Sequence, residues 1–331
     1  MQIFVYELIT GGGMLGEPLP DSLLAEGRAM LAALVADLTA IEGVGVSTLQ
    51  DARLKDSPLP DSKRLYVSDR AEERAQFEHQ AATADWTVVI APEFDGLLLE
   101  RARSVEAAGG RLLGPSSALI ELASDKQSTA DHLAAAGVPV PRGQLVLPGD
   151  RLPVDFDYPA ILKPVDGAGS QGLQLVAGAT CDLPPRAQTL RLERFCRGVT
   201  ASIAVLCGPH HQALLPPCAQ HLSDDGRFTY LGGSLPLPER FASRAMRLAA
   251  VVLATLDEPL GYLGIDMILG DTSADDVVIE INPRLTTSYV GLRAACETNL
   301  AEAMLQLAAG DRPIVSFRPE PVQFRADGSI L

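Results

Sequence analysis

The first third of the chain alternates between buried-strand and amphipathic-helix patterns. Ile3 to Ile9 is an apolar run bounded by glycines, the pattern of a strand covered on both faces. Asp21 to Thr39 has helical spacing, rich in Ala and Leu, with Asp21 or Ser22 as N-cap. Gly43–Leu49 reads as a second strand, Ala71–Thr83 as a helix, Trp86–Ala91 as a buried strand and Gly96–Ala108 as a helix. This β-α-β-α-β order predicts a parallel sheet with helices on both faces.

Beyond Gly114 the pattern changes. Ser117–Ala123 is helical, and Ser124-Asp125-Lys126 opens a second helix that ends at Gly137. Short strands are expected at Leu145–Leu147, Ala160–Lys163, Leu173–Val176 and Thr189–Arg191. After Gly198 come longer, antiparallel-looking strands, Ala201–Cys207 and Gln212–Pro216. Phe241–Leu256 is an amphipathic helix, Gly261–Leu269 and Val277–Ile281 are strands, and Gly291–Leu307 reads as one helix.

Composition narrows the function. The 331 residues carry 27 basic against 42 acidic side chains, a net charge of −15, which repels nucleic acid and anionic membranes. Small anions remain admissible, because local amides and a few lysines can hold them. No apolar run reaches the roughly 18–20 residues that span a bilayer, and the start MQIFVYELIT lacks the cationic region of a signal peptide. Cys181, Cys196, Cys207, Cys218 and Cys296 form no C-x-x-C pair and read as reduced thiols of a cytoplasmic protein.

Three motifs carry candidate chemistry. Gly11-Gly12-Gly13-Met14-Leu15-Gly16 matches G-x-G-x-x-G after a strand, but Pro18 and Pro20 delay the helix that a dinucleotide site needs at once. A substrate-side loop, a plain turn and a nicotinamide site are the open readings. The second is a strand ending in Lys163-Pro164, then Asp166-Gly167-Ala168-Gly169-Ser170-Gln171-Gly172, then another strand. Such a hairpin can close backbone N–H groups on phosphate oxygens, with Lys163 adding charge, or it can be an ordinary flexible hairpin. The third pairs Gly264-Ile265-Asp266 with Glu280-Ile281-Asn282 across the polar turn Gly270–Asp276. Residues two apart on a strand share a face. Asp266, Glu280 and Asn282 therefore form a hard-oxygen set suited to Mg²⁺, or else a solvent-facing polar edge.

Together with Ser124-Asp125-Lys126, Gly137-Val138-Pro139-Val140-Pro141, Leu192-Glu193-Arg194-Phe195 and Pro283-Arg284, these pieces resemble the ATP-grasp superfamily from about Gly114 to Leu307. The resemblance implies an α/β ATP-grasp fold in three parts: an N-terminal parallel-sheet domain (1–113), linker helices with a small lid (114–197), and a C-terminal antiparallel α+β domain (198–331). It makes Lys126 and Lys163 the phosphate lysines. Gly167, Gly169, Ser170 and Gly172 become the lid loop, and Glu193, Arg194, Phe195 and Cys196 the adenine-side hinge. Asp266, Glu280 and Asn282 become ligands of Mg²⁺, with Mn²⁺ as a substitute, and Arg284 the guanidinium at the transferred phosphate or carboxylate. Thr200 stands where many members hold the ribose with a glutamate.

The implied activity is ATP-dependent ligation of a carboxylate to an amine through an acyl phosphate. Its implied partners are small molecules, with no nucleic acid or membrane, and room for a homodimer. Tyr6 to Gly13, joined to this core, is similar to the subgroup containing tyramine–glutamate ligase, which serves methanofuran-type cofactor biosynthesis. Gly12, Tyr230, Thr286, Thr287 and Ser288 are then the substrate-side candidates, with Tyr289 beside them. Competing readings are a D-alanine–D-alanine-type ligase, a non-catalytic ATP-binding regulator and a dehydrogenase built on the first glycine run.

Overall fold

The computed structural model describes residues 1–167, 172–181 and 187–331, and it holds three sheets. The first contains β1 (Gln2–Glu7), β2 (Gly45–Asp51), β3 (Lys63–Val67) and β4 (Trp86–Ile90), all parallel, in the order β3-β2-β1-β4. α1 (Asp21–Thr39) covers one face. α2 (Arg70–Thr83) and α3 (Leu97–Ala107) cover the other, where Phe4, Tyr6 and Phe77 pack edge to face or tilted. β3 is absent from the sequence reading. It begins with Lys63-Arg64 on the sheet edge, where charge guards against strand addition and hides the strand pattern.

α4 (Ser117–Ser124) and α5 (Lys126–Ala135) follow, and their Leu119, Ala123 and Leu133 join the core beneath the large C-terminal sheet. The small antiparallel sheet has the order β5-β8-β6-β7, with β5 (Gly143–Val146), β6 (Ala160–Pro164), β7 (Gln174–Val176) and β8 (Leu190–Arg194). It closes on its own core of Val146, Leu152, Phe156, Leu162, Val176 and Leu192.

The large sheet runs β14-β13-β9-β11-β12-β15, with β10 beside β9. Its strands are β9 (Val199–Cys207), β10 (Gln212–Leu214), β11 (Cys218–Leu222), β12 (Tyr230–Leu235), β13 (Gly261–Leu269), β14 (Val277–Asn282) and β15 (Val322–Arg325). α6 (Glu239–Leu253) packs on it, as do α7 (Ser288–Ala295) and α8 (Leu300–Ala308). Cys218 to Pro236 supplies β11 and β12, an antiparallel pair whose buried residues include Cys218, Gly233 and Leu235.

The single helix expected over Gly291–Leu307 is two. Cys296 is extended and bridges Phe317, and Asn299 caps α8 by accepting the Glu302 N–H at 3.1 Å. α1 is clasped between the first sheet and α7/α8. Buried Asp37 accepts from the Tyr289 hydroxyl at 2.6 Å and from Arg293, and the Asp37 carbonyl accepts from Asn299 at 2.7 Å.

Candidate active site

One cavity of about 790 Å³ lies where the small sheet faces the large one. Its floor comes from β13 and β14. They pair with Asp266 opposite Glu280 and Gly264 opposite Asn282, and the register slips between Asp266 and Met267. The slip leaves Ile279 as an extra residue, so Ile279 and Glu280 both line the cavity although neighbours on a regular strand face apart. Asn282 Nδ2 donates to Asp266 Oδ2 at 3.2 Å.

Burial, with the facing Glu280 charge, pushes the Asp266 carboxyl up to about 7, against hydrogen bonds from Ser202, Gln220 and Asn282. Burial also works against the Glu280 charge, but Lys126, Lys163 and Arg284 outweigh it and hold that carboxyl below its ordinary value. Two carboxylates and an amide fit a Mg²⁺ that shares its shell with phosphates, and the elevated Asp266 marks a place where added positive charge is favourable.

Lys126 is the first residue of α5, whose N-cap Asp125 accepts from Ser128 N–H at 2.7 Å. The Lys126 backbone N–H donates to the Val165 carbonyl at 2.8 Å, which pins the helix start to the end of β6. Its Nζ donates to the Gly167 carbonyl at 2.7 Å and pairs with Glu280 at 3.2 Å, so one side chain joins the small sheet to the large. Lys163, on β6, pairs with Glu193 of β8 at 2.6 Å, and Arg191 meets the same carboxylate at 3.2 Å. Both lysines are buried and charge-compensated.

Of the expected hinge, Glu193 and Arg194 belong to β8, while Phe195 and Cys196 begin the 195–198 link from β8 to β9. A Cβ on Gly198 would lie 2.4 Å from the Leu269 carbonyl oxygen, so only glycine lets the hinge cross so close to β13. Arg194, Phe195 and Cys196 line the cavity, and the Phe195 ring lies 6.1 Å from that of Phe228. The Phe195 N–H is given to the Pro159 carbonyl and the Arg194 N–H to the Arg142 carbonyl. Thr200 lines the wall with its hydroxyl spent on the Gln220 carbonyl at 2.8 Å.

Arg284 follows β14 and lines the same cavity. Its Nε and Nη2 donate to Glu93 Oε1 and Oε2 at 2.8 and 3.0 Å, and Nη1 donates to the Leu285 carbonyl at 3.2 Å. Three of its five N–H donors are thus committed within the protein. Glu93 stands at the carboxyl end of β4, the end of a parallel sheet where functional groups gather. That position in Ala91-Pro92-Glu93 is the signal that would have found it.

The cavity also gathers Gly167, Tyr230, Thr286, Thr287 and Ser288. Gly172 lines a neighbouring cleft instead. Gly169 and Ser170 lie outside the described residues. Gly12 is not brought here: it sits in a tight turn after β1, where a Cβ would meet Val67 at 2.7 Å and Glu73 at 3.2 Å. Tyr289, expected at the substrate wall, is fully buried and bound to Asp37. His221 holds Ser234 at 3.0 Å on β11 and does not line the cavity. Glu26, Ser202 and Gln220 line it without having been singled out from sequence, since nothing local marks a helix glutamate or strand serine as cavity-facing.

Comparison with known proteins gives the family and the fold. The family profile for an ATP-grasp domain matches residues 123–288, and that for a pre-ATP-grasp domain matches residues 44–120. A tyramine–L-glutamate ligase from Methanocaldococcus fervens is 23% identical over 92% of this chain and 94% of its own. Another from Methanocaldococcus jannaschii is 21% identical over 92% and 89%. Among solved structures, an ATP-grasp superfamily protein from Archaeoglobus fulgidus superposes with a TM-score of 0.75 at 22% identity, over 98% of this chain and 92% of the other.

Proposed function

We propose that this chain, which belongs to the ATP-grasp family and is a ligase of that type, activates a carboxylate as an acyl phosphate and joins it to an amine, with ADP as a product. ATP and Mg²⁺ are its expected cofactors. The observation that carries the reading is the convergence of Lys126, Lys163, Asp266, Glu280 and Asn282 on one cavity between two sheets.

Lys126 and Lys163 hold the phosphates, exchanging their present carboxylate partners for phosphoryl oxygens. The backbone around Arg194–Cys196 meets the base, and Ile161, Met267 and Ile279 supply apolar walls. Asp266, Glu280 and Asn282 would hold Mg²⁺, which would supply positive charge to offset that of the transferring phosphoryl group. Arg284, steadied by Glu93, contributes a fixed positive charge at the carboxylate end. The small sheet covers the site and keeps water from the acyl phosphate.

Glutamate as the carboxylate, and tyramine or tyrosine as the amine, follow from the similarity to the tyramine–L-glutamate ligases, with a role in methanofuran-type cofactor biosynthesis. The five free cysteines suit the cytoplasm, and no helix among the described residues is long and apolar enough to cross a membrane. The test mixes enzyme, Mg-ATP, glutamate and tyramine and follows ADP and a glutamyl amide by mass spectrometry. ADP with a different amide from another amino-acid pair keeps the ligase and overturns this substrate pair. No ADP with any pair overturns the ligase.

A further inference from the structure

A second cleft, of about 950 Å³, adjoins the nucleotide cavity. α1 contributes Leu23 to its lining, the small sheet contributes Leu173 and Leu175, and the turn between β11 and β12 contributes Asp225 and Arg227. Glu26, Leu173 and Tyr230 line both spaces, so the two meet at these residues. Thr287 stands at the same place, with its side chain hydrogen-bonded to Glu26.

Resting on the ligase reading, we propose that this cleft is the acceptor subsite and that Glu26 recognises the ammonium group of a primary amine with an apolar body. The charge of the cleft sets the sign of its ligand. Among the described residues Glu26, Asp225 and Asp327 face it against the guanidinium of Arg227. Asp225 is occupied by its own turn, accepting from the Ser223 hydroxyl at 2.6 Å and the Arg227 N–H at 3.0 Å. Asp327 is likewise occupied by Ser329, at 2.9 and 2.6 Å.

Glu26, whose hydrogen-bond partner is the Thr287 side chain, differs from both in lying where the two spaces meet. It is half-buried and makes no ion pair among the described residues. The nearby guanidinium of Arg284 is already committed to Glu93. A carboxylate in that setting gains a charge-assisted hydrogen bond from an incoming ammonium. Leu23, Leu173 and Leu175 supply the surface that an aryl or alkyl body covers. An amine seated on Glu26 therefore has its nitrogen at the junction with the cavity where the carboxylate is activated.

Calorimetric titration of the full chain in Mg-ADP tests this with tyramine, phenethylamine and hexylamine, and with 4-ethylphenol as the uncharged control. At least one amine is expected to bind. Glu26→Gln is expected to weaken it at least tenfold while leaving ADP and 4-ethylphenol affinities unchanged. Absence of amine binding to the wild type, or equal amine affinity in the variant, overturns the proposal. Should the Gln variant fail to fold, Glu26→Asp, which draws the charge back by one methylene, is read by the same criterion. A Glu26-dependent amine affinity with no ADP formed from glutamate upholds the subsite and overturns the glutamate reading, so the two fail separately.

Discussion

Glu93 and Arg284 meet edge to edge, Oε1 on Nε at 2.8 Å and Oε2 on Nη2 at 3.0 Å, across 191 positions of chain. One side chain leaves the parallel N-terminal sheet and the other leaves the strand that carries Glu280 and Asn282. The pair therefore ties the first sheet to the candidate metal strand while fixing the direction of a charge beside the nucleotide cavity. Both side chains are almost excluded from water, at 5% and 11% exposure, so neither tolerates loss of the other.

Glu93→Ala is expected to lower stability by about 3–5 kcal/mol, the cost of leaving a buried guanidinium uncompensated. Glu93→Gln, which keeps one acceptor, should cost less. Denaturant unfolding of the two variants checks this order. If Arg284 acts at the substrate carboxylate as proposed, turnover of Glu93→Gln should fall while ATP affinity holds; unchanged turnover would remove Arg284 from the chemistry.

Asp266 makes metal-free stability depend on pH. Its carboxyl titrates at about 7 in the fold, so between the ordinary carboxylate range near pH 4 and pH 7 the folded state holds a proton that the unfolded state has released. Stability in chelator is therefore expected to fall as pH rises through that window, and Asp266→Asn should flatten the slope. Glu280, shifted downward, acts only at lower pH, where its contribution is lost as acid protonates it. With Asp266 as a ligand, as proposed, Mg²⁺ affinity should climb with pH up to about 7. Calorimetric Mg²⁺ titrations at several pH values give the answer, and a flat profile would place the metal elsewhere.

Mg-ATP at roughly 100 times its dissociation constant should stabilise the fold by about 2.7 kcal/mol, whereas NADH should not. Glu280→Gln is expected to lower turnover on the order of 10²–10³ by removing charge compensation at the phosphoryl group. It also strips Lys126 of its carboxylate partner, so the variant is read by circular dichroism before its rate is interpreted. Near wild-type turnover would mean that Glu280 is not a ligand.

Asp37 holds α1 against α7. Asp37→Ala leaves the fully buried Tyr289 hydroxyl without its acceptor, a loss of about 1–3 kcal/mol. Asp37→Asn keeps an acceptor and should lose less. Neither change touches the cavity, so ATP affinity should hold; a large change in it would show that the α1–α7 contact controls the site.

Local pattern and close spacing were enough for much of this protein. Buried strands such as β1 and β13 announce themselves because both faces are apolar, although β1 ends at Glu7 and the apolar run to Ile9 continues into a turn, and the extent of α1 follows from its own periodicity. The juxtaposition of Asp266 with Glu280 and Asn282 was legible because a short hairpin fixes which residues oppose one another. Lys126 and Lys163 were legible through motifs that sit beside helix starts and glycine turns. These are properties of neighbours in sequence, and strand alternation and turn chemistry carry them without reference to the rest of the fold.

Tertiary structure alone decided the rest. Lys126 faces Glu280 because the start of α5 is pinned to the end of β6 and laid against β14. Arg284 spends most of its fork on Glu93, Tyr289 turns inward to Asp37, and Gly12 packs against Val67 away from the cavity. Glu26 looks from sequence like any helix glutamate, and it reaches the junction of two cavities only because α1 borders the small sheet and the β11–β12 turn. In each case the deciding partner lies on another element. Burial and ion pairing between distant elements depend on how sheets and helices dock, which no local spacing encodes.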